Sequence, residues 1–336
     1  MKQFFLKTRF LKIREKKILN EFINKNYKKN HIIVKSSKVL NFFFLNKIKK
    51  RFNFVGSFLN NKLVSIYGVL NNKHWDQKLK SDMQLSLWIN KKNNSVSGFE
   101  TIKYILNNLK PHSLFMGGLN PKTAGRLFSI FGKVVNYDHF YICNPIIKKV
   151  ASRNLKYSFS KLNKTENRFV IIRSVKPLVI PSYDYFPKKS LKFFLNKYTK
   201  NPFYNYYFLN FKLNNKINFF FVCREIFVKK LKTKILRVVD FYGNLPVDIS
   251  IKSIITNYLI KNDFEYMDFI VYGIDKKKMN KTGFNIKNKN QFIPNYFEPF
   301  LNRDFDLTLA IIVNPYDDKL VSVKGDADQE IPRKIK

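Results

Sequence analysis

Alternating apolar and polar positions predict two β-hairpins along the chain, and the two share one turn sequence. The first hairpin is FNFVGSFLNNKLVSIYGVL at 52–70, and the second is NYYFLNFKLNNKINFFFVC at 205–223. Each has two runs rich in β-branched and aromatic residues around Asn-Asn-Lys, and a short polar turn between such runs is typical of a hairpin. The repeated turn is the first sign of an internal duplication.

After each hairpin the pattern changes in the same order, to strand, polar loop, helix, strand, helix and strand. The spacing is also shared, at 44 residues from Trp88 to Gly132 and 44 residues from Val239 to Gly283. We therefore expect two copies of one α+β domain, with two unrelated α+β domains as the alternative. The predicted elements are strands at 83–90, 113–120, 133–144, 234–241, 264–273 and 307–313, and helices at 99–110, 121–132, 249–262 and 274–284.

The organisation of the chain follows from these elements. Residues 1–30 place apolar side chains at helical intervals among many lysines, which predicts a basic helical segment or an interaction arm. We expect the first domain to span 31–150 and the second to span 191–336 with an acidic C-terminal tail. Residues 151–190 are expected to connect the two domains.

The formal net charge of +40 is a weak guide to function. Only 11 of the 63 basic residues are Arg, while Phe (35) and Tyr (18) are abundant and Gly (11) and Pro (12) are scarce. Lys, Phe and Tyr have A/T-rich codons, so base composition explains the bias without a nucleic-acid partner. A nucleic-acid-binding protein would favour Arg and cluster its charge on a motif, so that class remains only as an alternative.

The location that the sequence indicates is the cytoplasm. No apolar run approaches the ~20 residues that a membrane-spanning helix needs, and the start has no apolar core of signal-peptide length. Cys143 and Cys223 lie in apolar surroundings and are expected to be buried free thiols of a reducing compartment. Peripheral contact of the basic surface with anionic lipid stays open.

The order of hairpin, strand, loop, helix, strand, helix and strand resembles the GNAT acyltransferase fold. In that family the fourth strand parts from the fifth, and acyl-CoA lies in the gap with its pyrophosphate at the start of the following helix. A helix start suits an anion because its N–H groups are unsatisfied and its dipole is positive there. The resemblance implies an α+β chain of two tandem GNAT-like domains, each a mostly antiparallel mixed sheet flanked by helices. It also implies an acyl-CoA donor, with acetyl-CoA expected and no metal.

Two loops occupy the position that the resemblance assigns to the donor. The first contains Ser95, Ser97 and Gly98, and the second contains Gly243 and Asn244. Neither matches the family pattern Gln/Arg-x-x-Gly-x-Gly/Ala, so an ordinary strand–helix turn is the alternative for each.

Strings in the second half carry a narrower resemblance. NPFYNYYF, LRVVDFYGN, FEYMDF, IPNYFEPF and KGDADQEIPR are similar to segments of uncharacterised proteins encoded among bacterial surface-polysaccharide genes, which resemble tandem GNAT-type or Fem-like transferases. This resemblance implies acyl transfer to an amino- or hydroxy-sugar of a surface polysaccharide or its nucleotide-linked precursor. Fem-like transfer from aminoacyl-tRNA and a catalytically degenerate binding protein of the same fold are the alternatives.

Scarce carboxylates supply the candidate chemistry, because eight of the 23 acids lie between Glu298 and Glu330. On the GNAT resemblance, Asp240 and Glu298 lie near the cleft of the second domain and are candidates for accepting a proton from the acceptor. Capping of the next turn is the structural alternative for Asp240, and pairing with a lysine across the sheet is the structural alternative for Asp268. The candidate substrate-binding residues are Trp88, His139, Asp268, Tyr296, Asp326, Asp328, Gln329 and Arg333.

Overall fold

The chain divides into two compact units, each built around one mixed β-sheet. The computed structural model describes residues 6–92, 95–156, 169–246, 249–297, 300–301, 307–326 and 330–332. The first unit consists of Met1–Val135, Thr308–Pro315 and Ala327–Lys336, and the second of Asn136–Leu307 and Tyr316–Asp326.

The first part of the chain folds as strands and helices that nearly all belong to the first unit. Its two long hairpin strands are joined by Asn60 and Asn61, both with positive φ, as the predicted polar turn requires. The elements are β1 (Leu6–Lys12), α1 (Lys16–Asn26), α2 (Ile32–Lys35), α3 (Ser37–Phe44), β2 (Leu45–Asn46), β3 (Arg51–Leu59), β4 (Lys62–Asn71), α4 (Asn72–Trp75), β5 (Asp82–Asn90), α5 (Ser95–Tyr104, continued by the π-helical Ile105–Leu109), β6 (Ser113–Leu119), α6 (Arg126–Phe128, after the π-helical Pro121–Gly125) and β7 (Lys133–Asn136).

The rest of the chain forms the second unit and one further strand of the first. Its hairpin also turns at two residues with positive φ, Asn214 and Asn215, so both predicted hairpins are confirmed. The elements are β8 (Asp138–Cys143), β9 (Phe169–Ser174), α7 (Leu191–Phe194, continued by the π-helical Leu195–Thr199), β10 (Tyr206–Leu213), β11 (Lys216–Val228), β12 (Thr233–Gly243), α8 (Lys252–Lys261), β13 (Phe264–Tyr272), α9 (Lys276–Lys281), β14 (Asn285–Ile286), β15 (Thr308–Val313) and β16 (Ser322–Val323).

The two sheets have matching strand orders. The first runs β1-β3-β4-β5-β6-β15-β7. Read from the corresponding edge, the second runs β9-β10-β11-β12-β13-β8-β14. In each, one central pair is parallel, β5 with β6 and β12 with β13, and a helix of ten residues connects its two strands. This repeat confirms the predicted fold class of two mixed α+β sheets flanked by helices.

One strand of each sheet comes from the other half of the chain. The sequence suggested a single strand at 133–144, but the chain breaks at Tyr137, whose N–H donates to the carbonyl of Leu307. Residues 133–136 stay in the first sheet, while β8 pairs with β13 of the second. Conversely, β15 was expected in the second domain and pairs with β6 in the first sheet. The observed units therefore divide the chain differently from the continuous domains 31–150 and 191–336.

The N-terminal segment is only partly helical. Residues 6–12 form an edge strand that pairs antiparallel with β3, and α1 begins only at Lys16. Leu6, Thr8 and Phe10 alternate with charged residues, which is the strand period of two rather than a helical one. The prediction that residues 1–30 are a separate helical segment was therefore wrong for the first strand, and these residues belong to the first unit.

Candidate functional site

The parallel pair of the first sheet parts after a short contact. β5 and β6 pair at Asp82–Ser113, Met83–Leu114 and Gln84–Phe115, and no described strand pairs with that edge of β5 beyond Gln84. We call the gap between Leu85–Asn90 and Met116–Leu119 the first fork. On its other edge β5 carries a bulge, because Ile66 pairs with Ile89 whereas Gly68 pairs with Ser86.

A row of aromatic side chains crosses the first fork. Trp88 stacks on Tyr67 of β4, with centroids 5.5 Å apart and planes at 9°, and it meets Phe128 of α6 edge-on at 6.0 Å. Tyr67 Oη and Trp88 Nε1 are buried without a hydrogen-bond partner among the described residues. Buried donors left unpaired are unfavourable, so these two N–H and O–H groups indicate a missing polar partner.

Helix α5 begins at the open end of the first fork and is anchored there by hydroxyl groups. The Ser97 carbonyl accepts from Thr101 Oγ1 at 2.7 Å and from Ser57 Oγ at 3.3 Å. Ser57 Oγ lies 2.7 Å from Thr101 Oγ1 and also 2.7 Å from Thr8 Oγ1 of β1. The first turn of α5 is thus fixed against β1 and β3 while its N-terminal end faces the fork.

The predicted donor residues of the first loop lie in that first turn. Ser95 is the first residue of α5, and Ser97 and Gly98 follow it and are buried. A Cβ on Gly98 would meet the side-chain amide of Asn90, the last residue of β5. Glycine therefore lets the end of β5 approach the helix start closely. Asn90 Oδ1 is a further buried atom with no described partner.

The corresponding gap in the second sheet is filled by the chain itself. β12 and β13 pair up to Val238–Phe269 and then part, and Val239 is bulged against β11. We call the gap after these residues the second fork. Val271 pairs with Asp138 on one side and with Val323 of β16 on the other, so β16 occupies the gap. The 3₁₀ turn Lys324–Asp326 follows against β12, where a Cβ on Gly325 would lie 2.6 Å from the Val239 carbonyl oxygen.

The second pair of predicted donor residues has other roles. Gly243 ends β12 with φ of 101°, and a Cβ there would lie 2.6 Å from Phe219 Cα. Asn244 donates from Nδ2 to Asp184 Oδ2 at 2.7 Å. Both residues precede α8 by several positions, so they do not lie in its first turn. The start of α8 is itself covered, because the Ile251 N–H donates to the carbonyl of Thr282.

Asp240, predicted as catalytic, lies in a closed ionic network at the second fork. It accepts from Lys189 Nζ and from Tyr198 Oη, each at 2.7 Å, and Lys189 also contacts Asp326 at 2.9 Å. Asp240 and Lys189 are almost fully buried. Burial raises the pKa of Asp240, Lys189 opposes that shift and Asp326 adds to it. For Asp326 burial also acts upward, but Lys189 and Lys197 outweigh it and lower the pKa.

The structure brings two further predicted residues, His139 and Asp268, into contact. Their strands β8 and β13 are neighbours, and His139 Nε2 lies 2.9 Å from Asp268 Oδ2. Arg237 of β12 holds the same carboxylate through Nε at 3.0 Å and through Nη2. Burial lowers the pKa of His139, and the Asp268 hydrogen bond opposes this only in part. Burial alone would raise the pKa of Asp268, but the charge of Arg237 and hydrogen bonds from both partners lower it.

His139 lines a small cavity of about 90 Å³ within the second unit, together with Asp138, Lys287 and Asn295. A neutral imidazole held at one nitrogen by a carboxylate is suited to accept a proton at the other. His139 was predicted as a site residue of the first domain and Asp268 as one of the second. The two meet because β8 pairs with β13 in the second sheet.

The remaining predicted residues are less informative. Tyr296 lies in the loop after β14, where Lys324 Nζ is 5.4 Å from the centre of its ring. Glu298, Asp328, Gln329 and Arg333 lie outside the described residues. Lys189, Tyr198 and Arg237 were not predicted. Only Arg237 had a visible signal, as a charged residue inside the apolar strand LRVVDF.

The fold is that of GCN5-related N-acetyltransferases. The structure is similar over 92% of its length to a GCN5-related N-acetyltransferase from Anabaena variabilis ATCC 29413, of which 73% is covered, with a TM-score of 0.50 and 10% identity. A GCN5-related N-acetyltransferase from Kribbella flavida gives a TM-score of 0.48 at 7% identity, covering 91% of this chain and 71% of that one. The conclusion rests on the Anabaena protein, and identity this low shows the fold alone.

No protein-family model matches the sequence, and no curated protein matches it either. The Fem-like and polysaccharide-cluster resemblances therefore stay predictions. Within the described ranges, no helix combines the length and the apolar character needed to cross a bilayer.

Proposed function

We propose that the protein is an acyltransferase that takes its acyl group from acyl-CoA bound in the first fork. The observation that carries this proposal is the parting of β5 from β6 ahead of a ten-residue helix, with buried donors on Tyr67 and Trp88 that have no partner in the described part of the chain. The second fork offers no equivalent, since β16 and the following turn fill it. The fold shared with N-acetyltransferases supports the same reaction class.

The first fork has residues suited to each part of such a donor. Backbone N–H groups at Ser95–Gly98 would hold the pyrophosphate, because a helix start attracts anions. Trp88 and Tyr67 would line the acyl arm and donate hydrogen bonds from Nε1 and Oη. Bound acyl-CoA supplies an activated thioester, and attack by an amine or hydroxyl would release the thiol. The aromatic row from Tyr67 to Phe128 would keep water from the thioester.

Of the two predicted residues on the second sheet, His139 is chemically better suited than Asp240 to accept a proton. His139 lines a cavity and is kept neutral by burial, whereas Asp240 is enclosed by Lys189 and Tyr198. The catalytic role predicted for Asp240 is thus not favoured by its surroundings, and that of Glu298 stays a prediction.

For the acceptor we propose an amino- or hydroxy-sugar of a surface polysaccharide or its nucleotide-linked precursor, with acetyl-CoA as donor. Support comes from the sequence resemblance of the second half alone. The buried free thiols Cys143 and Cys223 fit a reducing compartment such as the cytoplasm. Transfer from aminoacyl-tRNA and a binding role without catalysis are the outcomes that the following experiment separates.

The two tryptophans allow a direct test of the donor site. Trp88 crosses the first fork, whereas Trp75 packs against Phe42 at 5.1 Å and Phe43 at 6.3 Å. Titration of the Trp75→Phe variant with acetyl-CoA should change the fluorescence of Trp88, and Trp88→Phe should lose that change. Calorimetry on the same samples measures binding independently of fluorescence.

The outcomes separate the alternatives. Absence of acetyl-CoA binding by calorimetry, with salt-sensitive tRNA binding in its place, would favour the aminoacyl-tRNA route. Calorimetric binding that leaves Trp88 fluorescence unchanged would refute the first fork as the donor site. Donor binding without turnover on any amino- or hydroxy-sugar tested would favour the degenerate binding protein.

A further inference from the structure

A second cavity in the first unit lies at the end of the sheet opposite the first fork. Its volume is about 590 Å³, which is in the range of small-molecule sites. Met83 at the start of β5 lines it, so it lies at the end where β5 and β6 are still paired. The last residues of the α5 extension, Asn108 and Leu109, form another wall. We call this space the basic cavity.

The charge of the basic cavity has one sign. Lys49, Arg51, Lys73 and Lys110 line it with His74, and none of the lining residues, all of which are described, is Asp or Glu. Codon bias explains many lysines, so the sign of the charge alone does not define a binding site, and the surroundings of Arg51 carry the argument. Four like charges around one concave space repel one another, so an anion bound there would relieve an unfavourable arrangement.

Arg51 is the residue that most clearly needs a partner. Its guanidinium carbon lies 3.3 Å from the centre of the Phe10 ring, so the group is fixed over an aromatic face. Its Nε is buried and has no hydrogen-bond acceptor among the described residues. Burial lowers the pKa of Arg51, and no described carboxylate compensates for the lost hydration. A phosphate oxygen would satisfy this N–H with a charge-assisted hydrogen bond.

The other walls could recognise an organic group attached to a phosphate. Asn53, Asn71 and Asn108 bring amide groups to the lining, and Tyr104 contributes a phenol. Amides and hydroxyls are suited to bases and sugars, which offer both donors and acceptors. Lys110 follows a helix C-terminus, where a cation is favourable in any case, so the argument rests on Lys49, Arg51 and Lys73.

We propose that the basic cavity binds the diphosphate group of a nucleoside diphosphate or of a molecule built on one. The site is separate from the first fork and does not rest on the acyltransferase proposal. Arg51 binds a phosphate oxygen, and Lys49 and Lys73 neutralise the remaining charge. A concave site of this volume suits a small molecule better than a polymer.

The test is calorimetry of the full chain with UDP, ADP, pyrophosphate, CoA and bulk tRNA. The variants are Lys49→Met, Lys73→Met and Arg51→Met, with Lys62→Met and Arg14→Met as matched controls. The control side chains are exposed in the same unit and lie outside the cavity. We expect saturable binding of UDP or ADP, with affinity falling about tenfold or more in Arg51→Met and several-fold in each Lys variant. Both controls should stay within about twofold of the wild type.

The lysine variants keep the test decisive if Arg51→Met fails to fold, because Lys49 and Lys73 are exposed and carry little packing. Equal affinity in the lysine variants and in Lys62→Met overturns the proposal, as does a lack of saturable binding of any nucleotide at millimolar concentration. Steeply salt-dependent tRNA binding that falls in the same variants, without nucleotide binding, overturns it in favour of a nucleic-acid site. If the cavity variants lose binding of CoA but not of UDP or ADP, the basic cavity is part of the donor site, and its separation from the first fork is refuted.

Discussion

The partners of buried charged side chains are what a local sequence pattern predicts least well. His139 and Asp268 are 129 positions apart, and only the pairing of β8 with β13 brings them together. Arg237 completes the group with a bidentate contact to Asp268 and with bonds to the carbonyls of Pro294 and Asn295. A charge inside an apolar strand pointed to a buried partner, but the sequence could not identify that partner.

The surroundings of His139 predict how stability depends on pH. Burial places its pKa in the folded protein below the unfolded value of roughly 6.5. The folded state therefore binds fewer protons than the unfolded state, and stability is lost as the pH falls from about 6.5 towards the folded pKa. Asp268 does not titrate in this window, because its pKa is lowered.

Urea unfolding at pH 7.5 and pH 5.5 should therefore show a larger loss of unfolding free energy in the wild type than in His139→Gln. Glutamine keeps an amide N–H for Asp268 but has no proton to gain. His112→Gln serves as the comparison variant for a half-buried histidine outside the network, one that contacts Asp82. If the unfolding free energy falls by the same amount between pH 7.5 and pH 5.5 in the wild type and in His139→Gln, the pKa of His139 is not lowered in the folded state.

At the level of elements, the hairpins and the strand–helix–strand order were predictable because their signals are local. Asn-Asn turns, period-two alternation and glycine exits each lie within a few residues of the structure that they specify. The closure of the second fork was not predictable. It depends on β16, a strand of two residues, reaching an edge of β13 that lies about fifty positions earlier in the chain.

The family resemblance assigned Gly243 to donor binding, but the geometry at the end of β12 already requires a glycine there. A side chain at this position would have to adopt φ of 101° and would meet Asn218 and Phe219 of β11. Gly243→Ala should lower the free energy of unfolding by roughly 2–4 kcal/mol, from the left-handed backbone and the overpacking together.

The matched variant for Gly243→Ala is Gly125→Ala, in the π-helical turn before α6. Its nearest neighbour would be Leu119 Cδ1 at 3.3 Å, and its backbone is right-handed helical. We expect a change within about 1 kcal/mol there. Chemical denaturation measures the free energy of unfolding of both variants. If Gly243 were needed only for donor binding, Gly243→Ala would unfold with the same free energy as the wild type.

At the scale of the whole molecule, the chain repeats a fold without repeating a site. Both sheets have a parallel pair that parts and a bulge on its first strand, so the scaffold for a donor is present twice. Only in the first is the gap followed directly by a helix start. Two of the acids that the sequence offered as site residues, Asp240 and Asp326, share Lys189 at the filled fork.

This asymmetry predicts that one chain binds one acyl-CoA. Calorimetric titration with acetyl-CoA should give a stoichiometry near one, because β16 occupies the gap in the second sheet and the Thr282 carbonyl covers the start of α8. Ser95→Glu places a carboxylate at the start of α5 and should abolish binding through repulsion of the pyrophosphate. Lys252→Glu makes the matched change at the first residue of α8 and should leave the stoichiometry unaltered. A second site per chain that is insensitive to Arg51→Met in the basic cavity, or half of the binding surviving in Ser95→Glu on the Arg51→Met background, would show that the second fork opens to the donor after all.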